Sequence, residues 1–177
     1  MTEANLSLTK PDVKYEAEYM ASLEAYVQAG DKDAVVELER IQKEGFGHFV
    51  HMLQEAEQGR GISATFVPAT SFWLLLDGKE IVGRSHLRHH LNDRLITFGG
   101  HIGYEVHPDH RRKGYGTRLL ALSLIEAREI GLERVLLTCD PKNTGSVKII
   151  TKNGGVLQDT GWHEVMKRDT SRYWIDL

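Results

Sequence analysis

A chain of 177 residues has room for one domain with a real core and not for two ordinary ones, and 41% apolar with 27% charged residues excludes intrinsic disorder. The formal net charge is -3, so no global basic character points to nucleic acid, and the densest positive run is Arg111 to Lys113. The single cysteine, Cys139, rules out an internal disulfide and suits a reducing compartment. Met1 to Asp12 has no apolar signal core, and the apolar runs are only a few residues long. We therefore expect a cytoplasmic, single-domain protein over residues 1–177, without membrane or nucleic-acid partners.

Asn5 to Thr9 reads as a short first strand ended by Pro11. Tyr15, Tyr19, Leu23, Tyr26 and Val27 recur at helical spacing, which predicts a helix over Val13 to Ala29 with Gly30 as its C-cap. Asp31 or Asp33 can cap a second helix with Val35, Leu38 and Ile41 on its apolar face. Gly45 and Gly47 predict a bend before a further helical piece through Phe49, Met52, Leu53 and Ala56. These aromatic and Met residues read as core, with the helical pair also a candidate wall of a substrate site.

Arg60 to Thr70 reads as a loop, and Asp77-Gly78 between two apolar runs predicts a type I′ hairpin. A second reversal is expected at Asn92-Asp93, followed by a strand from near Leu95 that breaks at Gly99-Gly100 and resumes at His101. A helix should start between Tyr115 and Thr117, a strand should cover Arg134 to Cys139, and a polar loop from Asp140 to Asn143 should lead to a last helix. Two strands complete the chain, one from Val156 and one over Arg172 to Leu177. This order predicts an α+β sandwich (α/β/α), with helices on both faces of one mixed, largely antiparallel sheet.

Gly99 to Arg118 carries the chemistry. A helix N-terminus offers free N–H groups and the positive end of a dipole to a diphosphate. Gly114 and Gly116 remove side chains where backbone would approach phosphates, and Arg111, Arg112 and Lys113 add charge. A Rossmann fingerprint is excluded because Leu119 stands where a third glycine is needed, and no P-loop pattern is present. Arg111-x-x-Gly114-x-Gly116, with Val106 and Pro108 upstream and Asn143-x-x-Ser146 downstream, resembles the acetyl-CoA signature of the GNAT acetyltransferase superfamily. The likeness covers roughly residues 70 to 155.

The resemblance implies a strand whose backbone at Tyr104 to Val106 pairs with the pantetheine arm. It also implies pyrophosphate held by the amides of Arg112, Lys113, Gly114, Tyr115, Gly116 and Thr117 next to Arg111, with Asn143 and Ser146 beside the arm. Acetyl-CoA would be the co-substrate, and a primary amine of a small molecule or exposed peptide would attack it directly. Relatives are commonly dimers, which leaves a homodimer open. Simple alternation puts His101, Gly103, Glu105 and His107 on one face. His101 stands where relatives often carry a carboxylate, and its reference pKa of roughly 6.5 suits a general base, with Glu105 as competitor.

The superfamily's usual acid, a tyrosine seven residues after the Asn, is replaced here by Ile150, which keeps a non-catalytic CoA-binding or sensor module as the alternative. An acyl-CoA hydrolase is a third reading. His86, His89 and His90 lack a completing Cys or Asp cluster, so no metal is expected and they read as sheet surface or substrate cleft. Cys139 has no paired base and reads as a small buried residue.

Overall fold

The computed structural model describes residues 5–164 and 166–177. In chain order it forms β1 (Leu6–Thr9), α1 (Glu16–Gln28), α2 (Lys32–Glu44), α3 (Phe46–Glu57), β2 (Ala69–Leu76), β3 (Glu80–Arg88) and α4 (Asp93–Thr97). Then follow β4 (Ile102–Val106), α5 (Tyr115–Glu129), β5 (Arg134–Cys139), α6 (Thr144–Lys152), β6 (Val156–His163) and β7 (Arg168–Asp176). The expected first helix is preceded by a separate 3-10 turn at Val13–Tyr15. Asp31 caps α2, its Oδ1 accepting from the N–H groups of Asp33 and Ala34. Gly45, at φ +89°, makes the break between α2 and α3 that the glycine pair predicted.

Asp77 (φ +52°) and Gly78 (φ +70°) turn the β2–β3 hairpin as the Asp-Gly pair predicted. The strand expected from Leu95 is instead the short helix α4. Asn92 lies in the connection that reverses the chain between antiparallel β3 and β4, and its Oδ1 accepts from Leu95 N–H at 3.0 Å and starts a helix. Both following glycines take positive φ, and a side chain at Gly100 would place its Cβ 2.2 Å from the Leu136 carbonyl oxygen. Strand β4 therefore begins only at Ile102.

Helices cover both faces, as expected. On one, α1, α2 and α3 bury Tyr19, Leu23, Phe46, Phe49 and Val50 against Trp73, Leu75 and Ile81, with the Tyr19 and Trp73 rings 4.5 Å apart. On the other, Leu120 and Ala127 of α5 and Ile150 of α6 pack on Phe72, Leu87, Val135 and Leu137. Burying side chains of this size contributes roughly 1.5–3 kcal/mol each, which is why the aromatic stripe of the N-terminal helices goes to the core.

The expected single sheet is divided. Strands run β1-β2-β3-β4 in one sheet and β5-β7-β6 in the other, and every ladder is antiparallel. The two meet just before β4. His101 N–H donates to the Leu136 carbonyl at 2.7 Å, and Leu136 N–H donates back to the imidazole Nδ1 of His101 at 2.8 Å. A side-chain nitrogen thus stands where a sheet would use a backbone carbonyl. Gly99 N–H donates to Thr138 Oγ1 at 2.9 Å, and beyond this knot β4 pairs only with β3. The unpaired edge of β4 opens a wedge.

Candidate functional site

The wedge widens into a groove of about 720 Å³ between β4, the start of α5 and the start of α6. Tyr104, Glu105 and Val106 line it from the strand, and Asn143 and Ser146 from α6. Arg111, Arg112, Gly114, Gly116 and Thr117 line it from the turn and α5. Lys113 and Tyr115, expected with them, turn the other way: Tyr115 stacks on His110 with centroids 5.8 Å apart, and Lys113 Nζ lies 3.5 Å from His110 Nδ1. Lys148 and Lys152, one helical turn apart on α6, form a basic wall that the motif did not reveal.

The turn is held open by backbone geometry. Gly114 sits at φ +84° as the N-cap residue of α5, and no side chain caps that helix. Its first-turn N–H groups are therefore left for another acceptor, unlike those of α2 and α6. Arg112 also takes the left-handed region, at φ +62°. The two glycines act differently from the expectation that both admit phosphate. A Cβ at Gly116 would lie 2.6 Å from Ile149 Cδ1 and 3.2 Å from Val106 Cγ2, so this glycine lets α5 close on α6 and β4. Arg111 Nε donates to the Val106 carbonyl at 3.3 Å, which pins the turn to the strand end.

Asn143 Oδ1 accepts from Ser146 N–H at 3.0 Å and caps α6. Its amide nitrogen remains available to the groove. The hydroxyls of Tyr104 and Ser146 lie 2.9 Å apart across the groove, and burial pushes the Tyr104 phenol up to about 12. Ile150, at the position of the usual tyrosine, is fully buried in the core. The hydroxyl pair that faces the groove comes instead from β4 and the first turn of α6. Cys139 is buried, and burial raises its thiol pKa.

The opposite face of β4 carries a different apparatus. Arg84 of β3, 8% exposed, donates to Glu105, to Glu37 of α2 and, at 2.9 Å, to the Tyr19 hydroxyl. Burial works against the charge of Arg84, but Tyr19, Glu37 and Glu105 outweigh it and raise its pKa. Glu105 also lies above its ordinary value, because burial outweighs the pull of Arg84. It is thus a half-buried carboxylate with raised proton affinity, carried by the strand that lines the groove.

His101 does share that face, yet it is not built as a base. Its Nδ1 is taken by the Leu136 amide, it is 6% exposed, and burial, with Arg88 adding, pushes its pKa down to about 4. The expectation of a base at His101 is corrected by this geometry: the ring is a structural acceptor with little affinity for a proton. His89 Nε2 bonds to the Thr70 hydroxyl and His86 Nδ1 to the Ser71 hydroxyl, at 2.8 and 2.9 Å. Among the described residues no group of three or more His, Cys, Asp or Glu side chains is placed to hold a metal ion. Nor is any helix among them long and apolar enough to cross a membrane.

A divided sheet, an uncapped glycine-led helix at the mouth of the wedge and a half-buried carboxylate thus come together around β4. The family model described as "Acetyltransferase (GNAT) family" matches residues 32–154, and the chain belongs to that family. Membership makes it an acyltransferase with acetyl-CoA as donor and an amine as acceptor. The fold is similar to that of RimJ from Mycobacterium smegmatis in complex with CoA-disulfide, at TM-score 0.71 and 21% identity over 97% of this chain and 81% of that one. It is also similar to the microcin C7 self-immunity acetyltransferase MccE in complex with acetyl-CoA and AMP, at TM-score 0.67 and 16% identity over 97% and 92% of the two chains. RimL, a ribosomal L7/L12 alpha-N-protein acetyltransferase in complex with coenzyme A, aligns at TM-score 0.69 and 16% identity over 97% and 94%. A search of curated proteins returned no match.

Proposed function

We propose that residues 1–177 act as one N-acetyltransferase domain in the cytoplasm, moving an acetyl group directly to a primary amine of a small molecule or an exposed protein amine, with Glu105 receiving the amine's proton. The observation that carries this reading is the position of Glu105, a carboxylate of raised pKa on the strand that lines the groove. A base must be deprotonated yet retain affinity for a proton, and burial with one ion-pair partner gives both.

The residues present fit acetyl-CoA, because α5 begins without a side-chain cap beside Arg111 and Arg112. When bound, it supplies the activated acetyl group. The N–H groups from Arg112 to Thr117 hold its diphosphate, Lys113 and Tyr115 contributing through backbone only, and Lys148 and Lys152 add charge opposite. The free edge of β4 at Tyr104 to Val106 and the Asn143 amide align the arm. Tyr104, kept protonated by burial and bonded to Ser146, is the proton donor on the groove side, in the place of the missing helix tyrosine. Calorimetric titration with CoA, followed by thiol release across an amine panel, tests the reading. Binding with turnover that Glu105→Gln abolishes is expected, and a folded protein that does not bind CoA refutes it. Binding without turnover on any amine would leave a sensor module.

A further inference from the structure

On the face of the first sheet that carries Glu105, the helical layer ends partway along β3. Arg84 is buried beneath α1 and α2, whereas His86, two residues on and pointing the same way, is open to solvent in the middle of a sheet flanked by β2 and β4. An exposed residue at mid-sheet marks a stretch of sheet face that no helix covers, a floor on which a ligand can lie. Desolvation by the surrounding protein, with Arg84 and Arg88 adding, lowers its pKa. Its register partner on β4 is Gly103, the residue of that strand with no side chain to close over it.

The two ends of this floor differ in charge. At the Glu105 end one guanidinium, Arg84, faces two carboxylates, Glu37 and Glu105. At the other end Arg88 forms no ion pair among the described residues. Its Nη1 donates to the carbonyls of Gly99 and Gly100, at 3.0 and 3.1 Å, which turns the guanidinium back along the sheet. A Cβ at Gly103 would lie 3.7 Å from Nη2, so this nitrogen sits over the window that Gly103 leaves. Arg94 stands near with its guanidinium over the Phe66 ring, 5.2 Å from the centroid, and likewise has no carboxylate partner among the described residues. Burial and then Arg94 lower the pKa of Arg88, the signature of a half-buried cation that lacks a counter-ion.

We propose that Arg88, with His86 as the floor beside it, is the subsite for a carboxylate of the acceptor, and that the acceptor is an α-amino acid whose amine faces Glu105. Gly103, where the guanidinium lies, and Glu105 are two positions apart on β4, roughly 7 Å at strand spacing. A single α-amino acid spans that distance with a hydrogen bond at each end. The carboxylate supplies the missing counter-ion by a charge-assisted bond from Nη2. A plain amine leaves Arg88 unpaired, and a peptide N-terminus puts its carboxylate out of reach.

This inference rests on the acetyl-transfer reading, and one experiment separates their failures. The full chain is titrated in the presence of CoA, by NMR, with a pool of N-acetyl α-amino acids and with the matching pool of N-acetyl amino acid amides. The Arg88 Nε–H and His86 ring resonances are followed. The acid pool is expected to shift both saturably, with at least tenfold lower half-saturation than the amide pool, and Arg88→Gln should erase the difference. Arg88→Lys, which keeps the charge, should retain part of it and guards against loss of the Gly99-Gly100 anchor as the cause. Equal response to both pools, or no response at these two residues, overturns the subsite. If CoA itself does not bind, the acetyl-transfer reading fails instead.

Discussion

The two sides of β4 are built from different materials. On the α5–α6 side recognition belongs to backbone: uncapped N–H groups, a positive-φ glycine and an unpaired strand edge. On the opposite side it belongs to side chains gathered from α1, α2, β3 and β4 around Arg84. Backbone donors serve a ligand part shared by all members of a family, because every sequence carries them. Side-chain networks change by substitution and suit the part of the reaction that differs. A perturbation on one side should leave the other readable.

The largest separation is expected from Glu105→Gln, with kcat lowered about a hundredfold to a thousandfold and CoA affinity held within about threefold. Wild-type kcat/KM should fall as pH drops through the raised Glu105 pKa, since the base must be deprotonated, and that acidic limb should vanish in the variant. The mirror image is Gly114→Val, which forces a β-branched residue to φ +84°. We expect roughly hundredfold weaker CoA binding by calorimetry, about 3 kcal/mol, with the Arg84 network intact by NMR.

Between the two sides lies His101, whose pKa drops from 6.5 to about 4 on folding. Above pH 6.5 both folded and unfolded rings are neutral and nothing is lost; as pH falls from there toward 4, the unfolded ring takes a proton that the folded one refuses. Urea midpoints should therefore show a stability loss over that window, on the order of 2 kcal/mol, that His101→Asn does not show. The smallest effect is expected from Tyr104→Phe, about a tenfold fall in kcat with CoA affinity unchanged, read by stopped-flow thiol release.

Which parts were legible follows the same division. The groove could be read because its parts are local: Arg111 to Thr117 lie in one turn, and Asn143 caps its own helix three residues on. The hairpin at Asp77-Gly78 was legible for the same reason. The Arg84 cluster was not, since Glu37 lies 47 residues from Arg84 and Tyr19 lies 65 away. Alternation put His101 on the correct face, but nothing near it announces that the Leu136 amide, 35 residues on, takes its ring nitrogen. The helix after Asn92 was missed because one side chain serves equally well in a reversal and as a helix cap. The packing role of Gly116 was not legible, since its neighbour Ile149 is met only once α5 and α6 pack.

The bare start of α5 also bears on the lifetime of the protein. A helix without its own cap is completed by whatever anion settles there, so the folded state is heavier in the balance whenever that anion is abundant. At a hundredfold excess over its dissociation constant a ligand adds about 2.7 kcal/mol to folding. Amide exchange at Tyr115 to Arg118 and resistance to proteolysis should rise and fall together with the supply of CoA, so that turnover of the protein in the cell becomes a gauge of its own donor.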